Sequence, residues 1–183
     1  MLIGLTGKYA AGKGTLAELL KGRGFGYHSC SDVLREELAA RGVPESREAL
    51  LELGNALRRQ GGPGELARRL KPRLDDGGDH IVDSIRNPAE VEVLREMEGF
   101  VLIVVDAAPE VRFERLRKRA RIGDPETFEA FQRLEAKELE SSDPTTQQLL
   151  GTIALADYAL RNDHGVEELH IAMEALLETL GQA

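Results

Sequence analysis

Residues 7–15, Gly7-Lys8-Tyr9-Ala10-Ala11-Gly12-Lys13-Gly14-Thr15, constrain the fold of this chain more than any other stretch. Leu2, Ile3 and Leu5 before them make an apolar run long enough for a buried strand, and Leu16-Ala17-Glu18-Leu19-Leu20 after them reads as the opening of a helix. Strand, glycine-rich turn and helix in that order form the setting that a phosphate-binding loop requires. Glycines such as Gly7, Gly12 and Gly14 allow backbone conformations and close approaches that a Cβ would block. Backbone N–H groups along the loop, those of Ala10 and Ala11 included, then converge on phosphate oxygens, helped by the positive end of the helix dipole. Lys13 adds a mobile cation for the β- and γ-phosphates, and Thr15 a hydroxyl for the metal or the α-phosphate. Gly14 separates the two, where the general motif has Ser or Thr directly after Lys. The chain is expected to bind a nucleotide.

Downstream, apolar periodicity predicts alternating strands and helices. Strands are expected at 25–29, 80–83, 100–106 and 156–161, and helices at 16–21, 33–41, 46–60, 65–74, 88–97, 109–121, 126–141 and 166–180. Phe100-Val-Leu-Ile-Val-Val-Asp106 is the strongest strand signal, and its unbroken apolar run suits a central parallel strand covered on both faces. Strands separated by helices imply α/β architecture: a five-stranded parallel sheet with helices on both faces. At 183 residues the chain fits one domain, 1–183. Its core is expected at 1–30, 75–112 and 142–183, with an all-helical insert at 31–74 and a short lid at about 113–141.

Three further clusters carry chemistry, because ligands of parallel α/β sheets sit outside the carboxyl ends of the strands. Ser29-Cys30-Ser31-Asp32-Val33-Leu34-Arg35 follows the second strand and places Asp32 and Arg35 one turn apart. Arg35 offers a planar fork for phosphate oxygens, and the alternative is a plain i,i+3 ion pair with Asp32. Asp83-Ser84-Ile85-Arg86-Asn87 follows the third strand. A carboxylate there binds Mg²⁺ through water or orients an acceptor, with Arg86 where a second phosphate would sit. Arg115, Arg117, Lys118, Arg119 and Arg121 fall within seven residues, ahead of Gly123. A charge run is usually a solvated helix face, yet this one is the densest positive cluster of an acidic chain. Arg119 and Arg121 are assigned as lid arginines that offset developing negative charge. Arg115 reads as solvent-facing or structural, and Arg133 is a further phosphate-facing candidate. The turn after the last strand, Asn162 to Gly165, is placed to read a base.

Composition narrows the partners. A formal net charge of −8 argues against binding nucleic-acid polymers, and 4% aromatic residues with no Trp offer no stacking platform. Cys30 is the single cysteine, so neither an internal disulfide nor a multi-cysteine metal site is expected, and a reducing cytoplasm is the expected location. The chain opens on a core strand, so no signal peptide is expected, and no apolar stretch approaches the ~18 residues of a membrane span.

In this order the segments resemble the nucleoside monophosphate kinase family. Gly7 to Thr15 resembles the adenylate kinase loop, including the Gly between Lys and Thr. Residues 29–35 are similar to the acceptor segment, whose Arg holds the monophosphate, and Asp83-Ser84-Ile85-Arg86 to the Asp-Gly-(aromatic)-Pro-Arg segment, with the Pro absent. The likeness extends over most of the chain to adenylate-kinase-like and dephospho-CoA-kinase-like proteins. It extends also to the kinase-like domains that precede deoxycytidylate deaminases, through Asp83-x-Ile85-Arg86-Asn87-Pro88 and Ala156-Asp157-Tyr158. The deaminase half is absent, since no Pro-Cys-x-x-Cys motif exists here. The resemblance implies ATP and Mg²⁺ as cofactors, and transfer of the γ-phosphoryl group to a small phosphorylated acceptor: a nucleoside or deoxynucleoside monophosphate, or dephospho-CoA. Lys13, Asp83, Arg86, Arg119 and Arg121 would be catalytic. Ser29, Asp32, Arg35 and Arg86 would bind the acceptor, Asn162 the donor nucleotide, and Thr15 and Asp83 the metal. A monomer or homodimer is expected. The alternatives are an ATP-binding switch and a partner-coupled ATPase without a small-molecule acceptor.

Overall fold

The structure, a computed structural model, describes residues 1–120, 124–139, 143 and 145–181. Five strands, β1 (Leu2–Thr6), β2 (Gly26–Ser29), β3 (His80–Asp83), β4 (Phe100–Asp106) and β5 (Tyr158–Arg161), form one sheet in the order β2-β3-β1-β4-β5. Every pairing is parallel. The five-stranded parallel α/β sheet expected from the sequence is the one observed.

Alternation of side chains along each strand sends them to two layers. Ile3 and Leu5 join Ile81, Ile103, Val105 and Leu160 on one face, against Leu16 and Leu20 of α1 (Lys13–Lys21) and Leu169 and Met173 of α9 (Val166–Gly181). Leu2, Val82 and Leu102 face the other way. They pack on α2 (Cys30–Ala40), α3 (Arg47–Gly61), α4 (Glu65–Leu70) and α5 (Pro88–Arg95). Gly4 lies on that second face, where an added Cβ would come 2.7 Å from the Phe100 ring and 2.8 Å from Ile85.

Residues 31–74 form helices with no strand between them, and Pro72 breaks the last piece: α4 stops at Leu70 and a 3₁₀ turn covers Lys71–Arg73. A third cluster, Phe113 and Leu116 of α6 (Pro109–Arg119) with Phe131 of α7 (Phe128–Leu139), packs against Tyr9, Ala10 and Phe128. It seats α6 and the start of α7 on the glycine-rich loop. Ala120 ends α6 in the left-handed region, φ 45°. Between α7 and β5 runs α8 (Leu149–Ala154), which the sequence reading did not anticipate. No helix among the described residues is long and apolar enough to cross a membrane.

The edge strand β2 carries a pH-sensitive contact. His28 Nε2 lies 3.3 Å from His80 Nδ1, and His80 Nε2 lies 2.6 Å from Asp76 Oδ1. Burial, then His80 and Arg73, lower the His28 pKa from its ordinary 6.5, against the opposing pull of Asp76 and Asp32. The unfolded chain then binds the extra proton more readily, so this contribution to stability is present at neutral pH and is lost as pH falls below 6.5. His28→Gln is expected to flatten the decline of the unfolding midpoint between pH 7.5 and 5.5, an interval of roughly one unit either side of the ordinary histidine value. Thermal scans across that range check it.

Candidate functional site

Strand register brings the chemistry together. Ser29 pairs with Asp83, Thr6 with Val104, and Asp106 with Arg161, so the loops after β2, β3, β1, β4 and β5 leave the sheet along one edge. The loop after β1 needs its glycines. Gly7 has φ 138°, and a Cβ there would sit 2.2 Å from the Val105 carbonyl oxygen. Gly12 has φ 111°, and a Cβ would meet Asn162 Nδ2 at 2.0 Å. Gly14 has open space around it. Helix α1 begins directly at Lys13, with no side-chain cap on Gly12 and no acidic residue in its first turn, leaving its N–H groups to an anion. Lys13 Nζ donates to Gly7 O at 2.7 Å and Lys8 O at 3.1 Å, which folds the ammonium over the loop. Thr15 stands one turn into α1, partly exposed.

Asn162 is buried, and its amide donates to Ala11 O at 2.9 Å while its Oδ1 accepts from Arg115 at 3.0 Å. Its side chain therefore supports the loop from behind. Arg115 also reaches Ala11 O and Asn162 O, so it belongs to the loop's frame and not to a solvated face; burial lowers its pKa, with Asp163 opposing. Arg112, fully buried, pairs with Glu135 and donates to Tyr9 O at 3.3 Å and Ala107 O at 2.9 Å. Tyr9 links three parts of the molecule. Its hydroxyl donates to Asp124 at 2.8 Å, Arg119 lies 4.4 Å from its ring centroid and Arg47, at the start of α3, lies 5.5 Å away. Arg119 is also held by both oxygens of Asp124, at 3.0 and 3.1 Å. Burial, then Asp124, raise the Tyr9 pKa. Arg121 lies outside the described residues, and Arg133 is exposed on α7.

On the insert side the expected residues behave differently from one another. Ser29 is buried, and its hydroxyl accepts from Ser31 N at 3.1 Å as the cap of α2. Arg35 is held by Asp32 at 2.6 Å and by Glu45 at 3.0 Å. Burial works against its charge, yet the two carboxylates raise its pKa. Asp83 ends β3, takes the Tyr27 hydroxyl at 3.1 Å and leaves it protonated by burial and charge. Ser84 next to it adopts φ 62°, an uncommon conformation for serine, at the position where the resembling segment has Gly. Arg86 donates to the neutral Gln147 Oε1 at 3.0 Å and has no ion pair among the described residues. Burial and then Glu90 raise the Cys30 pKa well above normal, so its thiol is inert.

The sequence reading missed Arg58 and Glu90, which pair in the interior, 3% and 0% exposed. Asn87-x-x-Glu90 is a capping-box pattern, a signal for Glu90 that was present in the sequence; nothing comparable pointed to Arg58. The reading also missed Asp106, whose Oδ1 is buried without a hydrogen-bond partner among the described residues. No group of three His, Cys, Asp or Glu side chains among the described residues could hold a metal. Thr15, in the first turn of α1, and Asp83, at the end of β3, offer hard oxygen donors. Such a sparse set suits Mg²⁺, which takes one or two protein oxygens and completes its shell with phosphates and water.

Comparisons with known proteins agree with this geometry. Residues 3–132 match an AAA domain family, AAA_18. A UPF0200 protein of Hyperthermus butylicus is 34% identical over 182 residues, spanning 98% of this chain and 95% of the relative. One from Pyrococcus abyssi is 33% identical over 187 residues, spanning 98% and 97%. Among solved structures, the shikimate kinase of Bacteroides thetaiotaomicron superposes with a TM-score of 0.61 at 15% identity, covering 97% of this chain and 98% of that one. A sugar kinase of Janibacter sp. gives 0.58 at 20% identity, covering 97% and 94%. These two show the fold alone.

Proposed function

The chain belongs to the AAA domain family matched by residues 3–132 and to the UPF0200 proteins, and on that premise we propose that it is a cytoplasmic ATP-dependent phosphotransferase. Its acceptor would be a small phosphorylated compound, a nucleoside or deoxynucleoside monophosphate or dephospho-CoA. The donor end is the loop from Gly7 to Thr15. Its N–H groups and Lys13 would hold the ATP phosphates, while Asn162 and Arg115 brace the loop through Ala11 O. Thr15 and Asp83 would hold Mg²⁺, which would supply positive charge for the phosphates. A phosphate acceptor is already anionic at neutral pH, so no dedicated base is required. Positioning and charge stabilisation then carry the catalysis. Arg119 would move from Asp124 to the transferring phosphoryl group as the lid closes, with Tyr9 keeping its guanidinium near the loop.

The observation that carries this reading is Arg86: a guanidinium without an ion pair among the described residues, in the turn that follows β3, the strand paired with the loop-bearing β1. One feature favours the switch or partner-coupled ATPase reading, the double pairing of Arg35 by Asp32 and Glu45. ADP release from Mg·ATP, measured against a panel of monophosphates and dephospho-CoA, separates the two. One compound is expected to stimulate turnover, and Arg86→Ala to raise its KM at least about ten-fold, as loss of a charged phosphate contact should. ADP release indifferent to every acceptor would count against the transferase.

A further inference from the structure

We propose that Glu90 is a positioning residue for acceptor binding, joining the helical insert to the turn that carries Arg86; this rests on the phosphotransferase reading of the site. Glu90 is fully buried and uses both oxygens. Oε1 accepts from Arg58 Nε at 3.2 Å and Nη2 at 2.7 Å, from within α3. Oε2 accepts from the backbone N–H of Arg86 at 2.9 Å and of Asn87 at 3.1 Å. A single carboxylate therefore fixes where the Arg86 backbone lies relative to α3.

The same turn is tied down on its other flank. Gln148 N donates to Arg86 O at 2.8 Å, Asn87 Nδ2 to Thr146 O at 2.9 Å, and Arg86 Nη1 to Gln147 at 3.0 Å. Below it, Thr6 Oγ1 donates to Ile85 O at 2.9 Å, at the end of the loop-bearing strand. Arg86 is thus the meeting point of the insert, the segment after the lid and β1. Of these ties, the Arg58–Glu90 contact alone is an ion pair, and it lies where water does not screen it. A shift of the insert relative to the core would be transmitted through Glu90 to the Arg86 guanidinium. That makes acceptor affinity, more than ATP affinity, the quantity Glu90 controls.

The test titrates inorganic phosphate into the intact protein saturated with Mg²⁺ and a non-hydrolysable ATP analogue, so that the loop is filled and phosphate reports on the acceptor side. Wild type is compared with Arg86→Ala, Glu90→Gln, Arg58→Lys, the Arg58→Gln/Glu90→Gln pair and the exposed control Glu92→Gln, each verified as folded by circular dichroism. The neutral pair removes the charge without leaving either partner alone in the interior. Glu90→Gln and Arg58→Lys are expected to weaken phosphate binding about ten-fold, in the direction of Arg86→Ala, with analogue affinity held within about two-fold and Glu92→Gln unchanged. Phosphate affinity at wild-type level in folded Glu90→Gln or in the neutral pair, while Arg86→Ala loses it, would overturn the positioning role and leave the phosphotransferase reading standing. Absence of phosphate binding to wild type, or indifference to Arg86→Ala, would overturn both.

Discussion

Lys13→Ala is expected to lower ATP-dependent turnover by about 10²–10³-fold, the usual cost of removing one preorganised charge donor from a transferring group. Lys13 Nζ donates to two loop carbonyls, Gly7 O and Lys8 O. Those contacts keep the ammonium over the loop, where incoming phosphates would exchange carbonyl dipoles for full negative charges. The fold depends on it little. The bonds to these two backbone acceptors, at a partly exposed site, contribute about 1–3 kcal/mol, so the unfolding midpoint should move modestly while turnover collapses. Steady-state kinetics paired with thermal unfolding of the same preparation reads both quantities. A large loss of midpoint with turnover intact per folded molecule would make Lys13 a structural residue.

Arg58→Met should produce the opposite pattern, a large loss of stability. It leaves the Glu90 carboxylate buried without its cation, which costs about 3–5 kcal/mol. For a domain of this size that is roughly 6–20 °C in unfolding midpoint. Isolated buried ion pairs can often be exchanged for apolar residues without net loss. Here the exchange is expected to fail. In Arg58→Met/Glu90→Leu the N–H groups of Arg86 and Asn87 lose their acceptor, at about 1–3 kcal/mol each where water cannot replace it. The double variant should therefore remain less stable than wild type by about 2 kcal/mol or more. Denaturant unfolding of the single and double variants checks this, and a double variant as stable as wild type would show that Glu90 serves the ion pair alone.

The fold was legible because two signals agreed along the chain: period-two or unbroken apolar runs for strands, and a glycine loop at the one junction where a phosphate site needs it. Leu2 to Leu5 and Phe100 to Asp106 announced β1 and β4 without ambiguity. Helix α8 was not visible because Leu149-Leu-Gly-Thr-Ile-Ala154 is short and carries a glycine, and its tertiary contacts hold it in place. Placement of the candidate residues was legible where the glycine loop or a strand end fixes it, as at Lys13, Asp83 and Arg86. It was less legible where long side chains choose among partners. Arg35 and Arg119 both engage nearby carboxylates, and Asn162 turns back on the loop, since sequence spacing does not say which neighbour wins. Arg58 and Arg112 could be placed only by packing, because nothing local marks either for the interior, whereas Glu90 carried a capping-box signal that gives its helix position but not its burial.

The phosphotransferase reading is tested most directly by the destination of the terminal phosphoryl group. Wild-type protein is incubated with Mg·ATP and the acceptor panel, and ³¹P NMR follows the products. A new phosphoanhydride or phosphoester resonance, rising in step with ADP and absent in Lys13→Ala, is the expected result. ADP accompanied only by inorganic phosphate, at a rate that no acceptor changes, would contradict it.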